Sequence, residues 1–537
     1  MPDQPTPPSV EPHRYRGKEF SDRLIPCATI PDRLADRVRV QHNDPCLTFV
    51  AGTGDALTLT YGELDRLSRR LAVWITRELD AASGTVFGLL PVADLDSAVA
   101  YVALLRAGYP VLVLNPGDPA QRVTQQTESL QPRAILAGPR VNVAEGLDAI
   151  RLPNPHSLPE PCTPWVDPLL DPDTDALYFG TSGSTAASKI VAQSHYNAAV
   201  NADAVSRHHG LRRGHRFLGC LPVHHVNGVH FSLLGTLASG AHAIIAEDFD
   251  MFQYPRLIET YRPHIASVVP SILELLAETW RRPAIPSDFR YFVSAAAALT
   301  TSTVRSVTDR FGVRVLQGYG LTETTNFSAT MPRDLSESLY RRLALECDIP
   351  SIGSAFHGNE VAVLAPDGSV LPAGQQGEIC MRGHNVMTRY VNNPQATEDA
   401  FADGWFHSQD LGFEIRDKDS GLSFFVVTGR TKNIAKVRGK AVSLEEMERS
   451  LCADPGVRDA ACVAVADRFL GESLLALVVP RGDGAGDQEL RARLAAQFDR
   501  VLLPAQFLRV AKIPRTATGK ILRPELAAYV SGLPAKP

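Results

Sequence analysis

The stretch "TSGSTAASK" places Thr181, Ser182, Gly183, Ser184 and Thr185, all small hydroxyl residues or glycine, ahead of the lone Lys189. Hydroxyls and turned-out backbone N–H groups solvate phosphate oxygens, and glycine lets the chain approach them closely. The spacing is not the Gly-x-x-x-x-Gly-Lys-Ser/Thr loop of common nucleotide-hydrolysing enzymes, because the lysine follows the wrong residues. By itself the stretch reads equally well as a phosphate loop or as a plain surface loop.

Four further stretches follow in order: "QGYGLTETT" (317–325), "GWFHSQDLG" (404–412), "TGRTKNIAKVRGK" (428–440) and "PRTATGKILR" (514–523). They add carboxylates at Glu323 and Asp410 and cations at Arg430, Lys432, Lys436 and Lys520. Out of context each is a surface residue or a salt-bridge partner.

The elements that must position these residues show in the hydrophobic periodicity. Residues 61–79 repeat apolar side chains at helical spacing, and residues 84–93 and 109–116 read as buried strands around a helix over 96–108. That βαβ rhythm predicts an α/β protein with a parallel sheet covered by helices. A strand "ALYFG" precedes the hydroxyl loop and a helix "HYNAAVNADAVSRHH" follows it, while 240–250 and 263–271 continue the alternation. From about residue 350 to 428, short strands between Asp-Gly and Pro-Ala-Gly turns predict an antiparallel β-rich subdomain. The expected division is a loose tail over 1–20, a large domain over 21–430 and a small α/β domain over 431–537 behind a basic hinge.

Composition narrows the function classes. The chain has 537 residues, 44% hydrophobic and 21% charged, with a formal net charge of -5. That balance argues against a nucleic-acid or anionic-membrane partner, and no apolar run approaches the roughly 20 residues of a membrane span. Eight singly scattered cysteines form no Cys-x-x-Cys pair and have no zinc-ligand spacing with histidine, so buried or incidental thiols in a reducing cytoplasm are expected.

Together the five stretches resemble the adenylate-forming superfamily, in its branch of acyl- and aryl-CoA synthetases, and the resemblance runs from about residue 30 to 530. It implies activation of a carboxylic acid by ATP to an acyl-adenylate with release of pyrophosphate. Transfer to a thiol follows, CoA or else a carrier protein. An acid attacking the α-phosphate is one anion approaching another, so cations, oriented dipoles and a Mg²⁺-holding carboxylate are needed. By resemblance Thr181–Thr185 would wrap the β- and γ-phosphates with Lys189 nearby, Tyr319 would stack on adenine and Thr322 would touch the α-phosphate. Glu323 would bind Mg²⁺, Asp410 and Arg430 would hold the ribose, and Lys520 would bridge the acid and the α-phosphate. Rotation of the small domain about Lys432 would then exchange Lys520 for the strand near Lys436 and Gly439, shaping a thiol channel.

Within the resemblance, "LPVHHVNGVH" (221–230) places His225 as the gate of the acyl pocket. Ala295, Ala296 and Ala297 stand where the pocket wall carries a glycine-rich run. The wall is thus small and apolar, which favours a hydrophobic or aromatic acid, bulky ones included. Ala186, Ser188 and Ile190 replace glycine, proline and glycine, and Ser408 and Gln409 replace threonine and glycine before Asp410. These departures leave open a variant that stops at the adenylate, or one that binds nucleotide without catalysis. A homodimer is left open as well.

Overall fold

The periodicity over 61–79 forms the helix Tyr61–Glu78, with Leu64, Leu67, Leu71 and Ile75 on its buried side. Its start is closed reciprocally: Glu63 N donates to Thr60 Oγ1 (3.2 Å) and Thr60 N to Glu63 Oε2 (2.8 Å), a capping box that satisfies two end donors. A computed structural model describes residues 11–160, 165–181, 189–281, 284–438, 440–467, 471–516 and 519–531. Phe87–Leu90, the helix Leu95–Arg106 and Val111–Val113 form the expected βαβ unit, with the two strands parallel. The helix is buried nearly all round. Its terminal Arg106, 1% exposed, is neutralised by Asp65 (2.7 Å) and Asp167 (3.1 Å).

Contacts divide the chain into two compact units. The first comprises residues 1–361, 380–407 and 422–424, and the second 362–379, 408–421 and 425–537. The second thus takes in segments that lie before the boundary expected at residue 430.

Two sheets organise the first unit. One has nine strands, and its six central ones run parallel: Arg314–Tyr319, Tyr291–Ser294, Ile265–Val268, Arg216–Gly219, His242–Ala246 and Pro45–Val50. The other has seven strands, in the order Arg389–Tyr390, Ile190–Ser194, Asp175–Gly180, Val111–Val113, Phe87–Leu90, Ile135–Ala137, Ile150–Arg151. Its first two neighbour pairs are antiparallel and the rest parallel.

The residues read as β-rich give Asn359–Leu364 and Gly377–Gly383, neighbours in a four-stranded sheet with Phe406–Arg416 and Ser423–Arg430. In the second unit a five-stranded sheet holds Ile434–Val437, Lys440–Ser443, Val457–Asp467, Gly471–Pro480 and Gln506–Arg509. Its core gathers Met447, Leu451, Cys462, Leu474 and Leu490.

Of the expected loose tail, residues 1–10 lie outside the described residues, while Pro12, His13 and Tyr15 are buried, which departs from a loose tail over 11–20. His13 is fully buried, with Nε2 hydrogen-bonded to Met387 O (2.9 Å) and its ring against Phe20 and Phe401. Aromatic side chains in a proline-rich, polar context supply the packing that mean composition hides. Seven described cysteines are free thiols, and burial pushes Cys220 up to about 12. No helix among the described residues is long and apolar enough to cross a membrane.

Candidate active site

The hydroxyl loop springs from a hairpin. Strands Asp175–Gly180 and Ile190–Ser194 pair antiparallel up to Gly180 opposite Ile190, and Thr181 N donates to Lys189 O (2.8 Å). The loop's two ends are therefore clamped together. The helix His195–His209 begins only after the second strand, capped by Ser194, so its N-terminal dipole lies beyond that strand and not directly behind the loop. Ser182, Gly183, Ser184 and Thr185, with the departures Ala186 and Ser188, lie outside the described residues. Ile190 is a buried strand residue.

Lys189 is exposed, and its Nζ sits 4.6 Å from the centre of the Tyr390 ring. The Tyr390 hydroxyl donates to Glu323 Oε1 (2.8 Å). Burial, and then the neighbouring carboxylate, pushes the phenol pKa up, so the hydroxyl stays a donor. Tyr390 is fixed in turn by Arg389, which grips Asp175 with both guanidinium nitrogens (3.0 and 2.7 Å) at the root of the hairpin. The loop lysine and the candidate metal carboxylate thus meet on one aromatic ring. Among the described residues, the second carboxylate oxygen of Glu323 accepts no protein hydrogen bond. A hard cation such as Mg²⁺ suits such an oxygen.

Glu323 and Thr322 occupy a single turn, Thr322–Thr324, just past the C-terminal end of the strand Arg314–Tyr319, whose last residue is the half-buried Tyr319. The turn is tight. A Cβ on Gly320 would lie 1.6 Å from Asn326 O, so only glycine fits there. Thr325 takes φ 65° and ties its Oγ1 to Asn385 O (2.7 Å). The Thr322 carbonyl accepts from Gln193 Nε2 (2.8 Å), and Gln193 Oε1 hydrogen-bonds His230 Nε2 (2.8 Å). Burial lowers His230 to about 3, so this chain of contacts carries no charge at neutral pH.

The candidate acyl wall lies at the same end of the nine-stranded sheet. Ala295 is buried and Ala296 and Ala297 are half-buried directly after the strand Tyr291–Ser294. Ala296 adopts φ 72°, a left-handed conformation that explains why a glycine-rich run suits this turn. His225 is half-buried beside His224 (ring centroids 4.5 Å apart), ahead of the π-helix Asn227–Gly235.

The second unit holds the remaining candidates. Asp410, 2% exposed, pairs with Arg430 (2.7 Å) and takes a backbone bond from its own N–H to Ser408 Oγ (2.9 Å). Gln409, which replaces a glycine, adopts φ 62° and anchors its N–H on Glu378 Oε1 (2.7 Å). Lys432 and Lys436 are exposed, on a short turn and on the following strand. Gly439 lies outside the described residues. Lys520 is exposed on a tight turn, where Thr516 N donates to Lys520 O (2.8 Å) and Lys520 N to Thr516 Oγ1 (3.1 Å).

The description AMP-binding enzyme matches residues 34–391, and AMP-binding enzyme C-terminal domain matches 446–520. The chain belongs to the AMP-binding enzyme family. It is 31% identical to a sulfoacetate–CoA ligase of Cupriavidus necator, over 76% of each chain. It is 30% identical to 4-coumarate–CoA ligase 5 of Oryza sativa subsp. japonica, over 96% of this chain and 98% of that one. In fold it resembles ATP-bound MatB from Rhodopseudomonas palustris, with a TM-score of 0.81, 24% identity, and 94% and 99% of the two chains covered. As an AMP-binding enzyme of this branch, the chain is an ATP-dependent, AMP-forming acid–CoA ligase with ATP and CoA as co-substrates.

Several side chains of this AMP-binding enzyme support the candidate residues without carrying a motif's reactive group. Tyr390 lies within a run that resembles the family, yet neither periodicity nor charge marks a tyrosine as the link between Lys189 and Glu323. Around Lys520, Arg515 bonds Gly519 O (2.9 Å) and pairs with Asp459 (2.7 Å), while Arg523 pairs with Glu448 (2.8 Å). Both arginines stand in "PRTATGKILR", so the motif is as much a brace for its lysine as a carrier of it.

Proposed function

We propose that this ligase activates a hydrophobic or aromatic carboxylate, using Thr181–Thr185 and Lys189 on the phosphates and Tyr319 and Thr322 beside the adenosine and α-phosphate. The observation that carries the reading is the ring of Tyr390, which sets the loop lysine 4.6 Å from its centre and holds Glu323 by a 2.8 Å hydrogen bond. A cation over one buried ring and a carboxylate at that ring's hydroxyl suit a Mg²⁺-bound triphosphate. Glu323 would hold the Mg²⁺, which neutralises phosphate charge when bound. Asp410, oriented by Arg430, would accept the ribose hydroxyls, an acceptor-only role suited to a carboxylate. Lys520 would bring its charge to the acid and the α-phosphate. Positioning and charge stabilisation then supply the rate, with no covalent protein nucleophile.

For the second half-reaction, residues 431–537 act as the mobile domain, with Lys432 at the hinge and Lys436 and Gly439 on the thiol channel. His225 and Ala295–Ala297 shape the acyl pocket. The alanines favour an apolar or aromatic body over a small dianion of the sulfoacetate kind.

The test incubates the protein with ATP, Mg²⁺ and a panel of aromatic, aliphatic and small dianionic acids, with and without CoA. Mass spectrometry then reads acyl-AMP and acyl-CoA. Aromatic or hydrophobic acyl-CoA is the expected product. Turnover confined to small dianions would overturn the substrate class, and adenylate without thioester would overturn the CoA step.

A further inference from the structure

The candidate site occupies the C-terminal ends of the parallel strands, the usual ligand-binding edge of such sheets. The opposite edge carries a cleft of ≈ 550 Å³ lined by Arg212, Arg290, Arg314 and Arg333, with Tyr291 and Asp334. Arg314 and Tyr291 are the first residues of their strands, Arg290 directly precedes Tyr291, and Arg212 lies just ahead of Arg216–Gly219. With strands of four to six residues, the two ends of the sheet stand roughly 13–20 Å apart.

The charge of the cleft is not balanced from within. Asp334 pairs with Arg333 (3.0 Å) and Glu337 with Arg314 (2.9 Å). Arg212 and Arg290 are exposed, and among the described residues their side chains make neither a hydrogen bond nor an ion pair. Two guanidinium charges are therefore left over. Arg333 is also held in place: its Nη1 lies where a Cβ on Gly210 would come within 1.6 Å. Planar guanidinium forks match phosphate oxygens, and the volume falls within the roughly 300–1,000 Å³ of small-molecule sites.

We propose that this cleft is a second anion site, separate from the adenylating centre, for a small molecule carrying pyrophosphate-like or paired phosphate charge. Arg212 and Arg290 supply the unneutralised charge, and Arg314 and Arg333 form the fixed side of the cleft. Two sources share that chemistry: the pyrophosphate released by adenylation, and the phosphate-bearing end of a nucleotide-containing substrate.

Calorimetric titration of the full chain tests it, using inorganic pyrophosphate and, in a separate arm, adenosine 3′,5′-bisphosphate. The variant is R212S/R290S, whose fold is checked by circular dichroism. Two binding events are expected for the unaltered protein with at least one probe. In the variant one of them should weaken at least tenfold while adenylate formation stays within twofold. The arm showing the larger loss identifies the source. A single event with both probes in the unaltered protein, or two unweakened events in the variant, would overturn the site. Capture of an acidic carrier protein that is lost in the variant, with anion binding unchanged, would overturn the small-molecule assignment.

Discussion

All 15 histidines of the chain fall in the first unit and none in the second. Several are buried as neutral imidazoles: burial lowers His195 to about 4 and His230 to about 3. The second unit places its buried polarity in carboxylate–guanidinium pairs, Glu448–Arg523 (2.8 Å), Asp454–Arg493 (3.1 Å) and Asp410–Arg430 (2.7 Å). The candidate lysines differ in the same sense. Lys189 lies against an aromatic ring that also holds a carboxylate, whereas Lys520 stands exposed on a turn braced from below by Arg515. The difference teaches that the proposed phosphate side sets its lysine and carboxylate on one ring in advance, while the proposed Lys520 side presents an exposed charge.

Acid should separate the units most strongly. A histidine whose folded pKa is lowered contributes stability that is fully present above its unfolded value, about 6.5. That contribution is lost as pH falls toward the folded value, because the unfolded chain then binds more protons. At pH 4.5, His195 and His230 each remove roughly 2–3 kcal/mol from the first unit. All four tryptophans (Trp74, Trp165, Trp280, Trp405) lie in that unit, so their fluorescence should report its unfolding between pH 6.5 and 4. Amide exchange of residues 444–531 should change less over the same range. Equal acid sensitivity of both units would erase the contrast.

Lys520→Ala should lower adenylate formation by about 10²–10³-fold with ATP binding nearly unchanged, as read by rapid quench and by nucleotide titration. Loss of ATP binding instead would make Lys520 a nucleotide-holding residue, the role proposed for Lys189. Removing the brace should act through stability: Glu448→Ala takes away the nearer carboxylate of Arg523 and leaves Glu445 at 3.6 Å and the Cys462 carbonyl, a loss of about 3 kcal/mol for a largely buried pair, measured on amide exchange of the second unit. Tyr390→Phe deletes one hydrogen bond to a charged group, worth about 1.5–3 kcal/mol. It should raise the Mg²⁺ concentration for half-maximal rate about tenfold or more, while the ring still lies beneath the Lys189 ammonium. An unchanged Mg²⁺ midpoint would reduce Tyr390 to a packing residue. The smallest effect is expected at Gln409→Gly and Ala296→Gly, at φ 62° and 72°. Relief of left-handed strain and the added flexibility of glycine nearly cancel there, leaving a change within about 1 kcal/mol in thermal unfolding.

Much of this was legible in the residues. The helix at 61–78 and the parallel βαβ unit followed from apolar spacing, because burial imposes its period on the chain. The five motifs in order pointed to adenylation by their resemblance to the adenylate-forming superfamily, and the chemistry accounts for the residue types they carry. Three things were not legible. The hydroxyl loop looked like a strand-to-helix connection, yet a second strand intervenes, since "IVAQS" is too short for periodicity to separate from the helix that follows. The packing of residues 11–20 depends on aromatic partners hundreds of residues away. The Arg212–Arg290 cleft gathers side chains that are scattered in sequence and become neighbours only because parallel strands begin at one edge.

By itself, then, the sequence determined which reactive groups exist and which elements carry them, because side-chain chemistry and burial period are local properties. Only the tertiary structure decided that Tyr390 joins Lys189 to Glu323, that Ala296 and Gln409 bear left-handed backbone, and that Arg212 and Arg290 line one cleft. Each of those depends on distances between chain segments that no local pattern encodes.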